Sequence, residues 1–232
     1  MVKKYDCLFF DLDRTLWNVD LNQKEALRVM YTRYGLERSG ADFETCFSLY
    51  AASNARLWDE YRDGKVSREV LRDTRFEEML AGIGIRDAEL TRALSDAYVR
   101  LAPTFTNLIS HARQVAGTLA ARYPMYIVTN GFAEVQHIKL ANCGLSDCFR
   151  GIVCSEDAGA NKPSSVIFEY ALCRAGVGRE QVLMVGDDYE TDIIGAVRSG
   201  IDSVWFNPAG KPAGQEKPTL EIRSLDELPA LL

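Results

Sequence analysis

The sequence predicts an α/β protein, a three-layer α/β/α arrangement around a parallel sheet, interrupted after its first strand by a helical insertion. Three observations carry this. Short apolar runs at 7–10, 125–128, 151–154, 182–185 and 203–206 have the length of strands buried on both faces. From residue 107 onward these runs alternate with helical patterns, which implies crossover connections between parallel neighbours. Between residues 17 and 102, by contrast, no convincing strand occurs and apolar residues recur at helical spacing.

Taken in order, the chain opens on Cys7-Leu8-Phe9-Phe10, which runs straight into Asp11-Leu12-Asp13. The insertion then shows four apolar stripes. They comprise Ala26, Leu27, Met30, Tyr31 and Tyr34, then Phe47, Tyr50, Ala51, Asn54 and Leu57. Leu71, Phe76, Met79 and Leu80 follow, and last Leu90, Leu94, Ala97, Tyr98 and Leu101. Gly35, Gly64 and the stretch from Gly82 to Gly84 break them, so a bundle of about four helices is expected. Helices are expected over 107–122, 133–142, 165–175 and 190–199, the last three ending near Gly144, Gly176 and Gly200. The Gly-, Pro- and Lys-rich segment 207–218 reads as a surface loop, followed by a short apolar run at 219–222 and a final helix. The expected division is therefore an α/β domain from 1–16 and 103–232, with a helical domain over 17–102.

Composition narrows the function classes. A formal net charge of −6 argues against a nucleic-acid polymer as partner, because that affinity rests on clustered Lys and Arg. No apolar run approaches the roughly 20 residues of a membrane span, and Asp11 interrupts any apolar leader, so a cytoplasmic protein is expected. The six cysteines lack zinc or redox spacing and read as free thiols, with Cys7, Cys154 and Cys173 in apolar surroundings. His111 and His137 have no metal-ligand company in sequence and read as structural or solvent-facing.

In open parallel sheets, ligands bind at the carboxyl ends of the strands. The first run is followed by Asp11 and Asp13, the second by Thr129-Asn130-Gly131, and the run at 182–185 by Gly186-Asp187-Asp188, with Asp192 a helical turn beyond. Lys162-Pro163 precedes the helix at 165–175. Each group has an ordinary reading: Asp11 as a turn former, Thr129 or Asn130 as a helix cap, Asp187 and Asp188 as first-turn acids, Lys162 as a solvated lysine. Capping does not explain why carboxylates, a hydroxyl and a lysine arise at ends that converge. Phosphoryl transfer does. Aspartate is a competent nucleophile towards phosphorus, several carboxylate oxygens suit Mg²⁺, and a hydroxyl, backbone N–H groups and an ammonium can hold phosphoryl oxygens.

The segments Asp11-Leu12-Asp13-Arg14-Thr15, Thr129-Asn130, Lys162-Pro163 and Gly186 to Asp192 resemble, in order, the four motifs of the haloacid dehalogenase superfamily. The resemblance implies a Rossmann-like core and a helical cap that excludes water when closed. It implies Asp11 as nucleophile and Asp13 as general acid and base, with Lys162 completing the catalytic set. Leu12, Asp13, Thr129, Asn130 and Lys162 would hold the phosphoryl group. Mg²⁺ would be bound by Asp11, Asp187 and the Asp13 carbonyl, with Asp192 and Asp188 positioning Lys162 or metal-bound water. One departure stands out: Arg14 occupies a position where many members have glycine, and its side chain is expected to face solvent.

The second aspartate, Asp13, favours phosphoryl transfer over attack on carbon, which needs no leaving-group proton. The stretch from Leu57 to Gly64, the Arg75-Phe76 pair, Thr129 to Phe132 and Trp205-Phe206-Asn207 are similar to the pyrimidine 5′-nucleotidase branch. The expected substrate is therefore a small phosphorylated metabolite, specifically a pyrimidine nucleoside monophosphate, with Trp58, Tyr61 or Phe76 as candidates to stack a base. The same aromatic residues at helical spacing also read as core. The alternatives are a phosphatase or mutase for sugar phosphates, and a non-catalytic protein that binds phosphometabolites.

Overall fold

The four apolar residues that open the chain form β1 (Cys7–Phe10), and all four are buried. In the computed structural model, which describes residues 5–232, the remaining strands are β2 (Met125–Thr129), β3 (Gly151–Cys154), β4 (Val182–Gly186), β5 (Asp202–Phe206) and β6 (Leu220–Ile222). They make one parallel sheet in the order β3-β2-β1-β4-β5-β6. Strand order reverses at β1, so a ligand crevice is expected where β1, β2 and β4 end.

Alternation along β1 explains the layers. Leu8 and Phe10 pack on one face with Met125, Ile127, Leu183 and Val185. Ala112, Val115, Ala116 and Leu119, one face of a helix over Ala112–Ala120, cover that side. Cys7 and Phe9 point to the opposite face with Val128, Val182 and Met184. There Ile167, Phe168 and Ala171 of a helix over Ser165–Ala175 close the layer. A period of two in the strands meets a period near 3.6 in the helices, giving the three-layer, Rossmann-like arrangement expected from the sequence.

The chain divides into two compact units: Met1–Val19 (described from residue 5) with Thr106–Leu232, and Asp20–Phe105. These boundaries fall three residues later than the expected ones at 16/17 and 102/103. Trp17 stays with the α/β unit because it is buried in that core and bridges both Asp13 and Leu108.

Four helices build the second unit, α1 (Val19–Arg33), α2 (Phe43–Arg62), α3 (Arg68–Gly82) and α4 (Ala88–Leu101). Three start on a side-chain cap: Asp42 accepts from Thr45 N–H, Ser67 from Val70 N–H, and Asp87 from Glu89 and Leu90 N–H. Their stripes meet in one apolar core that includes Ala26, Met30, Tyr50, Phe76, Met79, Leu94 and Tyr98.

Two expected helices differ from what forms. The helix expected at 107 begins at Ala112 as α5 (Ala112–Ala120), because residues 107–109 pair with the backbone of residues 16–18. The helix expected at 190 begins as a π-helical turn, Tyr189–Ile193, before α-geometry resumes over Ile194–Arg198. All six cysteines are free, but Cys173 is exposed rather than packed in apolar surroundings. Both histidines are exposed, and no helix among the described residues is long and apolar enough to cross a membrane.

Candidate active site

Asp11 is the first residue beyond β1, and its N–H continues the sheet by donating to Val185 O at 2.9 Å. Its backbone is thus fixed by the neighbouring strand at the point where strand order reverses. Its carboxylate is buried and accepts from Lys162 Nζ at 2.7 Å. Burial pushes the Asp11 carboxyl up from its ordinary range, opposed by the Lys162 charge and reinforced by Asp13.

Lys162 is only 2% exposed, which for a lysine requires compensation. The compensation is complete: its three ammonium protons are directed to Asp11 Oδ1 at 2.7 Å, Asp192 Oδ1 at 2.6 Å and Val128 O at 2.8 Å. Burial works against its charge, but the two carboxylates outweigh it and hold the ammonium above its ordinary range. The Asn130 side chain clamps the same residue from the backbone side. Asn130 Oδ1 accepts from Lys162 N–H at 2.7 Å, and Asn130 Nδ2 donates to Lys162 O at 3.0 Å. The end of β2 therefore places the lysine in its pocket, a role for the Asn130 amide that the sequence reading missed.

Asp192 is wholly buried, and both its oxygens are engaged, Oδ1 by Lys162 and Oδ2 by Asp188 N–H at 3.1 Å. The π-helical turn and the glycine at the end of β4 make this possible. A Cβ on Gly186 would sit 2.2 Å from Asp192 Oδ2, so only glycine lets that carboxylate approach the strand end. Asp188, expected near Lys162 or a metal-bound water, caps the turn: its Oδ1 accepts from Glu190 and Thr191 N–H at 3.0 and 3.1 Å, and its charge lies close enough to Asp187 and Asp192 to raise both.

Asp187 is held by Thr15, which lies four residues after Asp11. Its carbonyl accepts from Trp205 Nε1 at 3.0 Å. Burial, reinforced by repulsion from Asp11 and Asp192, pushes its carboxyl up to about 8. Asp192 is pushed up to about 7, by burial first, with Lys162 opposing and Asp11 adding to the rise.

Asp11, Asp187 and Asp192 each place a carboxylate oxygen within 4.8 Å of the others. One lysine against three acids, Asp11 and Asp192 buried and Asp187 half-buried, leaves an excess of negative charge, which the raised carboxyls express. A hard divalent cation is the chemical complement of that set. The trio shares Asp11 and Asp187 with the ligand set expected from sequence, whose third member was the Asp13 backbone carbonyl.

Asp13 accepts from two donors on a helix over Ala133–Asn142, here α6: Lys139 Nζ at 2.5 Å on Oδ1 and Gln136 Nε2 at 2.8 Å on Oδ2. Thr129 is buried at the end of β2, where its Oγ1 accepts from Gly131 N–H at 3.0 Å and Gln136 Nε2 at 2.8 Å. Leu12 has its side chain in the apolar core, so any role in binding falls to its backbone N–H, beside the Asp11 carboxylate. Arg14 is exposed as expected, and its φ of 66° lies in the left-handed region that favours glycine.

Of the aromatic candidates, Phe76 is excluded. It is 0% exposed, packed against Tyr50 and Tyr98 with centroid distances of 5.1 and 5.6 Å, so its faces are spent within the helical unit. Trp58 and Tyr61 are half-buried and meet edge to face at 5.7 Å.

Residues 5–200 match the family model of haloacid dehalogenase-like hydrolases. The chain is 34% identical to pyrimidine 5′-nucleotidase YjjG of Escherichia coli (strain K12), covering 99% of this chain and 98% of the relative. Pyrimidine 5′-nucleotidase PynA of Streptococcus pneumoniae is 31% identical, over 97% of this chain and 93% of its own. Among solved structures, YfnB of Bacillus subtilis, crystallised with magnesium bound, superposes with a TM-score of 0.89 at 31% identity, covering 99% of each chain. The motif-bearing strand ends and these full-length similarities agree: the chain belongs to the haloacid dehalogenase-like hydrolases.

Proposed function

We propose that this hydrolase is a Mg²⁺-dependent phosphomonoesterase that acts through an aspartyl-phosphate on pyrimidine nucleoside monophosphates. The observation that carries the reading is the Asp11 carboxylate, fixed at the sheet's switch point against a fully buried Lys162, with a second carboxylate, Asp13, two residues on.

Asp11 attacks phosphorus; the bond from phosphorus to the ester oxygen breaks, and Asp13 supplies the proton that oxygen needs. In the second half, Asp13 takes a proton from water as the water oxygen bonds to phosphorus and the Asp11–phosphorus bond breaks. Thr129 and the backbone N–H groups of Leu12, Asp13 and Asn130 hold the phosphoryl oxygens, and the Lys162 charge beside Asp11 offsets theirs. Asp11, Asp187 and the Asp13 carbonyl would hold Mg²⁺, and Asp192, both of whose oxygens are engaged, keeps Lys162 in place. When bound, the cation offsets repulsion between carboxylate and phosphate and stabilises charge in transfer. The close approach of the Asp11 and Asp187 carboxylate oxygens, within 4.8 Å, and the magnesium-bound relative support this choice of ion.

The base preference is supported by the two relatives that are pyrimidine 5′-nucleotidases, each aligned over nearly the whole chain. Trp58 and Tyr61 are the aromatic side chains proposed to select the base. Phosphate release across nucleoside monophosphates, sugar phosphates and small phosphorylated acids, with Mg²⁺ and with chelator, tests the reading. Pyrimidine nucleotides should lead and chelator should abolish turnover. Equal or better activity on sugar phosphates would sink the nucleotidase assignment, and binding without turnover would leave a phosphometabolite-binding protein.

A further inference from the structure

We propose that Gln136 and Lys139 are positioning residues for the reaction, one holding both the proton carrier and the phosphate donor, the other locking the proton carrier in place. The inference rests on the phosphatase reading above. The two side chains lie three residues apart on α6, hence on the same face. They are 0% and 8% exposed, unusual for a glutamine and a lysine on a helix of ten residues. Their burial is accounted for by what they hold.

Lys139 Nζ lies 2.5 Å from Asp13 Oδ1 and 4.2 Å from the centre of the Trp17 ring. Trp17 in turn bridges back to Asp13, and its carbonyl accepts from Arg14 N–H at 2.8 Å. The ammonium is thus fixed between an indole face and a carboxylate, a charge pair with one geometry rather than a mobile surface contact.

Gln136 spends both amide protons, one on Asp13 Oδ2 and one on Thr129 Oγ1, each at 2.8 Å. Its Oε1 is buried with no hydrogen-bond partner among the described residues. Turning the amide over would set that oxygen against the Asp13 carboxylate, so the donor requirement at Asp13 dictates the orientation. Two consequences follow. Both oxygens of Asp13 accept, so the carboxylate is held in a single orientation, with one lone pair on each oxygen left over for a proton. At Thr129, both acceptor positions of Oγ1 are taken, by Gln136 and by Gly131 N–H, so the hydroxyl hydrogen is what the residue has left to offer an incoming phosphoryl oxygen. One amide thereby sets the proton carrier and the phosphate donor at the same time.

The leaving group distinguishes this from a structural role. A nucleoside 5′-monophosphate expels an alkoxide that needs the Asp13 proton, whereas p-nitrophenyl phosphate expels a stable phenolate that does not. Lys139→Met should lower kcat on the nucleotide at least about tenfold more than on p-nitrophenyl phosphate, with KM little changed, and Lys139→Arg should restore most of it. Gln136→Met should in addition raise KM for both substrates, through Thr129. Gly131→Ala, whose Cβ would meet Gln136 Nε2 at 1.9 Å, should reproduce that rise by displacing the amide. Equal losses on both substrates in Lys139→Met, or none, overturn the proposal; Lys139→Gln is read the same way if the methionine variant does not fold. A wild-type protein that releases phosphate from neither substrate removes the phosphatase reading itself, whereas an active wild type with equal losses in the variant removes this inference alone.

Discussion

Thr15 and Asp187 hold each other by two hydrogen bonds in opposite directions: Thr15 Oγ1 donates to Asp187 Oδ1 at 3.0 Å and accepts from Asp187 N–H at 3.1 Å. The pair ties the loop after β1 to the end of β4 and fixes the carboxylate that faces Asp11. Thr15 is wholly buried, so valine fits its volume but leaves Asp187 N–H and Oδ1 without this partner. Thr15→Val should cost about 1–3 kcal/mol of stability and raise the Mg²⁺ concentration for half-maximal activity severalfold. Denaturant melts and a metal titration of phosphate release check both, and an unchanged metal requirement would remove Thr15 from that role.

The acid cluster sets a pH dependence for the metal-free protein. Asp187 and Asp192 lose their protons near pH 8 and 7 in the folded chain, driven first by burial, whereas carboxyls of the unfolded chain ionise near 4. Between those limits the folded state binds more protons than the unfolded one, so stability falls as pH rises from about 4 to about 8 and levels off above. In chelator, melting temperatures should decline over that window, and the gain on adding Mg²⁺ should grow with pH as the cation replaces the protons. A metal-free melting temperature that rises across the window contradicts the cluster's charge state.

Lys162 is expected to be as much a structural as a catalytic group. Lys162→Met removes the ammonium shared by Asp11 and Asp192 and leaves Val128 O without its donor. Breaking a buried charge set of this kind costs about 3–5 kcal/mol. The variant should melt early at neutral pH and recover part of the loss in acid, where the two carboxylates are protonated. Chemical denaturation at both pH values reads the difference directly.

Arg14 adopts a left-handed backbone that side chains disfavour by about 1–2 kcal/mol, partly offset by the greater freedom of glycine in the unfolded chain. Arg14→Gly should therefore be neutral or stabilising by up to about 1 kcal/mol, again within these opposing terms. A marked drop in melting temperature would show that the side chain makes a contact worth more than the strain.

Much of this architecture was legible in the residues, and what was not has a common cause. The apolar run at 7–10 followed by two acids, with Thr129, Lys162 and Asp187 at later element ends, marked the site because strand ends of a parallel sheet converge. Gln136 and Lys139 gave no such signal. On a helix, polar residues three apart read as a solvated face, and only the tertiary placement of Asp13 turns that face inward. Residues 107–109 carried a helical pattern but are pinned by backbone pairing with residues 16–18, a contact across the whole insertion. Asp188 followed the ordinary rule for a first-turn acid and caps its helix.

The aromatic residues of the helical unit sharpen the same lesson into a prediction. Spacing alone cannot tell a core ring from a recognition ring, but burial can. Phe76 packs between Tyr50 and Tyr98, and Arg75, itself buried, lies 4.6 Å from the centre of the Tyr98 ring. Phe76→Ala should destabilise the protein by about 3–5 kcal/mol while any protein that remains folded keeps its order of preference among nucleotides. Trp58 is half-buried and meets Tyr61 edge to face, so Trp58→Ala should cost less than Phe76→Ala. Its effect should fall on selection, narrowing the preference for pyrimidine nucleotides over sugar phosphates without abolishing release from p-nitrophenyl phosphate. Specificity constants for the two substrate classes, measured alongside melting curves for both variants, decide the matter: a Trp58→Ala enzyme with unaltered preference takes that residue out of substrate selection.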